Sequence, residues 1–150
     1  MPSVFNSIFE NELRLIILID VFEKPQNADM LYAADFMVAY GETFGITKTN
    51  LNGENVFKFS EFLSRRSLVQ KVLQELSWKE LIKPIADSKG IIYQITSLGQ
   101  SYCRSLDSEY AIEYRSTARR VVHYIGNDTE RSLISRINKL SATSLKRAEK

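Results

Sequence analysis

The sequence predicts an α+β fold that is mostly helical. Three observations carry this prediction. Apolar residues recur every three or four positions along most of the 150 residues, one stretch changes to short β-rich runs around a turn, and Pro or Gly separates the segments. The composition, 44% hydrophobic and 25% charged, is typical of a globular chain. One compact domain with its own core is therefore expected.

Two helices are predicted in the first forty residues. The first runs from about Asn11 to Glu23, and Pro25 ends it because proline cannot continue a helix. Asn27 offers a side-chain cap for the second helix, which extends to about Tyr40.

A loop and a third helix follow. Residues 41–59 contain three glycines and three asparagines, so a long loop is predicted, with a short extended piece at Val56–Phe59. Ser60 begins a helix that breaks near Ser77–Lys79. Its apolar side is predicted to comprise Phe62, Leu63, Val69, Val72, Leu73 and Leu76.

The β-rich stretch comes next. Leu81–Ile85 and Ile91–Ile95 are predicted to be the strands of a β-hairpin joined by the turn "ADSKG". Pro84 cannot donate to a strand ladder, so the first strand should lie at a sheet edge. Thr96 or Ser97 can cap the helix that follows. One face of that helix should carry Leu98, Tyr102 and Leu106.

Two further helices complete the chain. The first ends at Gly126, and Asn127 or Asp128 is predicted to cap the second. The organisation predicted from these elements is a main domain over residues 1–125. A C-terminal helix and basic tail over residues 126–150 should pack on this domain or extend it.

The order of three helices, a hairpin and a further helix is that of a winged helix, in which the hairpin projects as the wing. The stretch "GIIYQITSLGQ" is similar to the pattern with which many winged-helix domains end. The predicted fold is therefore a winged helix, made of helices plus one β-hairpin wing, with additional C-terminal helices. Such a fold is compatible with many functions.

The charge and apolar runs indicate the class of protein. The net charge of +2 hides a gradient, from −4 in residues 1–50 to +4 in residues 101–150. Such a gradient can mark a face for nucleic acid, although solvated helix faces explain it as well. The run Leu15–Ile19 is too short to cross a membrane, so we expect a cytoplasmic protein without a membrane contact.

Catalytic chemistry is not indicated. His123 is the single histidine, and a position near a helix end explains it better than a catalytic relay. Cys103 is the single cysteine, which excludes an internal disulfide and a cysteine-rich zinc site. Asp29 and Asp35 are six residues apart and do not share a helix face. We therefore expect no catalytic residues, no cofactor and no metal.

The third helix carries the best candidates for DNA contact. In a winged helix that reads DNA this helix enters the major groove, where arginine can bind guanine and phosphates. The alternative is a solvated face with one arginine paired to Glu61 or another carboxylate. The candidates for DNA binding are Arg65, Arg66, Lys71 and, in the wing, Lys89.

Aromatic and arginine residues elsewhere are candidates for a protein interface, because both types are enriched there. Tyr110 and Tyr114 are four apart on one helix, and core packing explains them better than an interface. The candidate interface residues are Phe57, Phe59, Trp78, Arg115 and Arg119.

A family resemblance extends over about residues 11–125. The segments "LRLIILIDVF", "MLYAADFMVAY", "SEFLSRRSLVQKVLQEL" and "GIIYQITSLGQSYCRSLDSEYA" appear in the order and spacing of a known family. In that order they resemble the middle component of ABC three-component systems, including the Lamassu defence systems. The residues that carry the resemblance include Leu13, Arg14, Asp35, Phe36, Glu61, Leu63, Arg65, Arg66, Leu68, Val69, Ser108 and Tyr110.

This resemblance implies a small non-catalytic subunit similar to the winged-helix kite subunits of SMC complexes. It would bind an SMC-like ATPase and an effector, commonly a nuclease, and help to control that effector on foreign DNA. The alternative is a free-standing winged-helix transcription regulator, which would bind operator DNA as a homodimer.

Overall fold

The structure is a computed structural model of the chain and describes residues 7–51, 53, 55, 57–88 and 90–148. Its elements confirm the predicted α+β class with mostly helical content. In chain order they are α1 (Ile8–Val21), β1 (Gln26–Asn27), α2 (Ala28–Ala39), α3 (Lys58–Ser64), α4 (Arg66–Trp78), β2 (Ile82–Asp87), β3 (Gly90–Ile95), α5 (Ser97–Ser105), α6 (Glu109–Ile125) and α7 (Glu130–Ala148).

Helices α1 and α2 form the centre of the core. Residues 10–19 of α1 and 30–39 of α2 are buried on every side, because α1 packs against α4, α5 and α6 while α2 packs against α4, α6 and α7. A helix that is apolar around its whole circumference requires such an environment. The run "LIILI" in α1 is the sequence signal for this position.

Side-chain caps set the beginnings of the helices. Asn27 accepts a hydrogen bond from the Met30 amide at 2.8 Å, and Thr96 accepts one from the Gly99 amide at 3.0 Å, as predicted. Three predicted beginnings are wrong, and one of them is that of α3, which begins at Lys58 instead of Ser60. Ser7 caps α1, so this helix begins at Ile8 instead of Asn11. Thr129, and neither Asn127 nor Asp128, accepts the capping hydrogen bond at the start of α7.

The antiparallel sheet has the strand order β1–β3–β2. The predicted hairpin is confirmed, and Pro84 lies in β2 at the sheet edge, where a missing N–H group is tolerated. The two-residue strand β1 was not predicted, since a strand this short has no periodicity. Its residue Asn27 pairs with Ile92, caps α2 and donates a side-chain hydrogen bond to Glu130 in α7 at 3.1 Å.

The described residues of the predicted loop 41–59 include a short helix and side-chain hydrogen bonds. Gly41–Phe44 is a one-turn 3₁₀ helix, and the Glu42 amide donates a hydrogen bond to Asn50 Oδ1 at 3.0 Å. The predicted extended piece is wrong at Lys58 and Phe59, which begin α3, while Val56 lies outside the described residues. Lys58 Nζ also donates to Thr43 Oγ1 at 3.0 Å, so the end of this segment is attached to its beginning.

The predicted third helix is two helices, α3 and α4, with the break at Arg65. This break changes the direction of the first turns, so Phe62 is buried and Leu63 is exposed, contrary to the prediction for Leu63. The buried face of α5 also differs from the prediction. Gly99 and Cys103 face the core there, and Leu98, predicted to be internal, is exposed.

Helix α7 packs on α2, and its residues Leu133 and Ile137 are buried in the same core as α1 and α2. Within the described part of the chain, no helix has both the length and the apolar character needed to cross a membrane.

A close backbone contact explains the glycine at position 99. A Cβ atom there would lie 2.0 Å from the Leu81 carbonyl oxygen and 2.8 Å from Ile95 Cγ1. Alanine normally stabilises a helix relative to glycine. Here we expect Gly99→Ala to lower the free energy of unfolding by about 1–3 kcal/mol because the backbone must move. Urea denaturation measures this change, with Ser101→Ala on the exposed face of α5 as the control. A stabilised Gly99→Ala protein would contradict the contact.

Candidate functional site

The most distinctive polar feature is a buried ion pair between α1 and α2. The side chain of Arg14 is fully buried, and that of Asp35 is nearly so. Arg14 Nε donates a hydrogen bond to Asp35 Oδ1 at 3.0 Å, and Arg14 Nη2 donates to Asp35 Oδ2 at 2.9 Å. This bidentate geometry satisfies both groups, as a buried charge requires.

Two further elements join this pair. Arg65 Nη2, at the break between α3 and α4, donates to Asp35 Oδ2 at 2.9 Å and also to Asn11 Oδ1. The Tyr114 hydroxyl in α6 donates to Asp35 Oδ1 at 2.8 Å. We call these residues, Asn11, Arg14, Asp35, Arg65 and Tyr114, the Asp35 cluster.

The charges and hydrogen bonds of the cluster set the protonation states of Asp35 and Tyr114. Burial by itself would raise the pKa of Asp35, but the charges of Arg14 and Arg65 and the hydrogen bonds from Tyr114 and Arg14 lower it below its ordinary value. Burial, reinforced by the charge of Asp35, raises the pKa of Tyr114 well above its ordinary value. Asp35 is therefore a carboxylate and Tyr114 a neutral hydrogen-bond donor at neutral pH.

The sequence contained a signal for this cluster that its periodicity did not reveal. Arg14 lies within "LRLII" and Asp35 within "AADFM", so each charge interrupts an apolar run on a buried helix. Charged residues are rarely fully buried unless they are paired. Two such residues on neighbouring helices therefore indicate an ion pair. Tyr114 is buried, which confirms the core position preferred for it.

The predicted DNA-binding residues do not form one surface in the described residues. Arg65 is directed inward to Asp35, whereas Arg66 is exposed and forms an ion pair with Asp29 at 3.0 Å. Lys71 is exposed on α4. Lys89 lies outside the described residues. The carboxylate partners of Arg65 and Arg66 are thus Asp35 and Asp29.

The aromatic candidates differ in exposure. Phe57 and Trp78 are each 68% exposed, at the beginning of α3 and the end of α4. Phe59 is half-buried, and its ring centroid lies 5.9 Å from that of Phe36. Phe59 is therefore attached to the core, while Phe57 and Trp78 remain candidates for contact with a partner.

Arg115 and Arg119 line a groove of about 660 Å³ beside the end of α1. Arg115 Nη2 donates to the Cys103 carbonyl at 3.1 Å, so one end of its guanidinium is fixed, while Arg119 is exposed. The same groove contains His123 in the last turn of α6, together with the carboxylates of Asp20, Glu23 and Asp128.

Cys103 is completely buried, and burial raises the pKa of its thiol to about 12. Its reactive thiolate form is therefore scarce at neutral pH. In the described residues, no group of three or more His, Cys, Asp and Glu side chains is arranged to hold a metal ion.

Comparison with known protein families identifies the family of the chain. The model of the family described as ABC-three component (ABC-3C) system Middle Component 2 matches residues 4–147. The chain belongs to this family. No curated protein and no solved structure matches the chain. The match extends the predicted resemblance, given for about residues 11–125, at both ends and confirms the middle-component assignment.

Three residues that carried the resemblance, Arg14, Asp35 and Arg65, meet in the Asp35 cluster. In this member of the Middle Component 2 family they join α1 and α2 to the junction between α3 and α4. Their observed role is thus to fix the positions of helices.

The stability of the domain should depend on the carboxylate of Asp35. Asp35→Asn removes the carboxylate that Arg14 and Arg65 both contact, and Arg14 is fully buried, so we expect the free energy of unfolding to fall by about 3–5 kcal/mol. The matched control is Asp29→Asn, which removes an exposed ion pair and should cost less than about 1 kcal/mol. Equal losses in urea denaturation would show that burial does not strengthen the Asp35 interactions.

The lowered pKa of Asp35 also predicts an acid dependence. An unfolded aspartate has a pKa of about 3.9, and the folded value lies below it. The contribution of Asp35 is therefore complete above the unfolded pKa and is lost as the pH falls through the folded pKa. We expect the stability difference between the wild type and Asp35→Asn to narrow below about pH 4. A difference that stays constant from neutral pH into this acid range would contradict the prediction.

Proposed function

We propose that the chain is a non-catalytic accessory subunit that joins an SMC-like ATPase to an effector nuclease in a Lamassu-type defence system. Membership of the Middle Component 2 family carries this proposal, since a middle component of a multi-component system implies protein partners. In this role the subunit would help to control the effector when the ATPase detects foreign DNA in the cytoplasm.

We also assign the fold to the winged-helix class. The order α1–β1–α2–α3–α4–β2–β3 supports this assignment, as does the pairing of β1 with β3 beside the hairpin. In this assignment α4 occupies the place of the third helix, and β2 and β3 form the wing.

The use of the polar residues supports a non-catalytic role. The buried carboxylate of Asp35 accepts hydrogen bonds from Arg14, Arg65 and Tyr114. These hydrogen bonds join helices. A general acid or base must reach a substrate proton, and Asp35 is enclosed by these donors.

Direct DNA binding by a free-standing regulator remains the second candidate. The exposed positions of Arg66 and Lys71 on α4 favour it, because this helix would enter the major groove. The inward direction of Arg65 and the pairing of Arg66 with Asp29 both reduce the positive charge that this face presents.

Co-expression tests the proposal. The full chain, carrying an affinity tag, is produced together with the ATPase and effector encoded beside it. We expect both to co-purify with the chain as a complex that remains intact in size-exclusion chromatography. A chain that elutes alone in the presence of both proteins would overturn the proposal. Sequence-specific, salt-sensitive binding to its own promoter would then support the regulator.

A further inference from the structure

A surface groove lies apart from the residues of the Asp35 cluster. An open groove of about 930 Å³ lies between the outer face of α4 and the hairpin. We call it the hairpin groove and define it by Gln70, Lys71, Gln74 and Trp78 of α4 and by Pro84 and Ile91 of the sheet.

One side of the hairpin is apolar along its whole length. Residues two apart in a strand share a face, and cross-strand partners lie on the same side of the sheet. The register therefore places three pairs on this side, Ile82 with Ile95, Pro84 with Tyr93 and Ala86 with Ile91. Ile82 is buried in the core, whereas Ile91, at the outer end, is 54% exposed. The apolar face therefore continues beyond the core and into the groove.

Trp78 extends the same apolar surface from the helical side. It is the last residue of α4 and the single tryptophan of the chain, and it lines the groove together with Pro84 and Ile91. Tryptophan offers a large rigid surface, and it is the type most enriched among residues that dominate binding energy at protein interfaces.

The groove has a fixed wall. Arg65 holds the beginning of α4 to Asp35 and Asn11, and Lys79, just after its end, contacts both carboxylate oxygens of Glu12 in α1 at 3.0 Å. A surface fixed at both ends is formed before a partner binds, which reduces the entropic cost of association.

The charge of the groove indicates the chemistry of its occupant. Lys71 is the single charged side chain among the described residues that line it, and Gln70 and Gln74 add uncharged amides. A nucleic acid brings one negative charge per about 1.7 Å and is bound by several cations together. A protein segment needs only an apolar centre and one carboxylate for Lys71. A second copy is a poorer fit, because two identical concave surfaces facing each other do not fill one another.

We propose that the hairpin groove binds an amphipathic segment of a partner protein, with apolar side chains against Trp78, Pro84 and Ile91 and a carboxylate against Lys71. The identity of the partner rests on the function proposed above, so the segment belongs to the ATPase or to the effector.

The single tryptophan allows a direct test. The full chain is labelled with 5-fluorotryptophan, so that Trp78 gives one ¹⁹F resonance. Unlabelled ATPase, unlabelled effector and duplex DNA are then added separately. We expect the chemical shift of the resonance to change with one of the two proteins and to stay unchanged with DNA.

Substitutions localise the contact. Ile91→Ser and Lys71→Glu should each weaken binding of that protein by about tenfold or more, because they remove an apolar contact or reverse a charge. Ile112→Ser on α6 is the matched control, since Ile112 is 58% exposed and lies outside the groove, and it should leave affinity unchanged. Circular dichroism confirms that each variant is folded.

Each outcome has a defined meaning. A wild-type chain that binds neither protein would overturn the proposed function, and the groove inference with it. A wild-type chain that binds while its ¹⁹F resonance stays fixed and the groove variants bind normally would overturn the groove inference alone. A shift caused by DNA would assign the surface to nucleic acid. A shift that depends on the concentration of the chain itself would assign the surface to a second copy. Either result overturns the proposed occupant.

Discussion

The fold depends on one carboxylate. Asp35 receives hydrogen bonds from α1, from the α3–α4 junction and from α6, while its own backbone belongs to α2. Apolar packing alone would allow these helices to slide against one another with little loss of contact. A buried carboxylate with directional donors permits one arrangement, because any other leaves charges without partners in a medium that cannot solvate them. Removing one member of such a cluster is costly, whereas replacing the whole cluster by well-packed apolar residues is often neutral for stability.

Much of the architecture followed from periodicity and punctuation in the sequence. Asn27, Thr96 and Gly126 are local signals, and each of them is a helix cap in the structure, whereas α1 ends at Val21, before the predicted end at Glu23 and before Pro25. The break at Arg65 was missed, because a continuous apolar pattern from Phe62 to Leu76 fits one helix as well as two. At the break Arg65 contacts Asp35, thirty residues away, and local sequence does not encode that contact.

Local sequence was also insufficient to predict the candidate site. Residue type identified Arg65 and Arg66 as notable, but the direction of each side chain decided its role, since Arg65 lies at the break between the helices and Arg66 begins α4. Arg65 is directed into the core and Arg66 toward solvent. Exposure likewise separated Trp78 from Phe59, two aromatic residues that the sequence treated alike. The hairpin groove could not be predicted either, because it requires the relative positions of α4 and a strand pair.

Asn27 connects regions that are far apart in the chain. Its backbone pairs with Ile92 in the hairpin, its side-chain oxygen holds the first turn of α2, and its side-chain nitrogen contacts Glu130 at the start of α7. The hairpin, the first turn of α2 and the start of α7 are therefore joined directly at this asparagine, in addition to the packing of the hairpin against α1 and α4. A displacement of β3 would thus reach the last helix of the described chain through the side chain of Asn27.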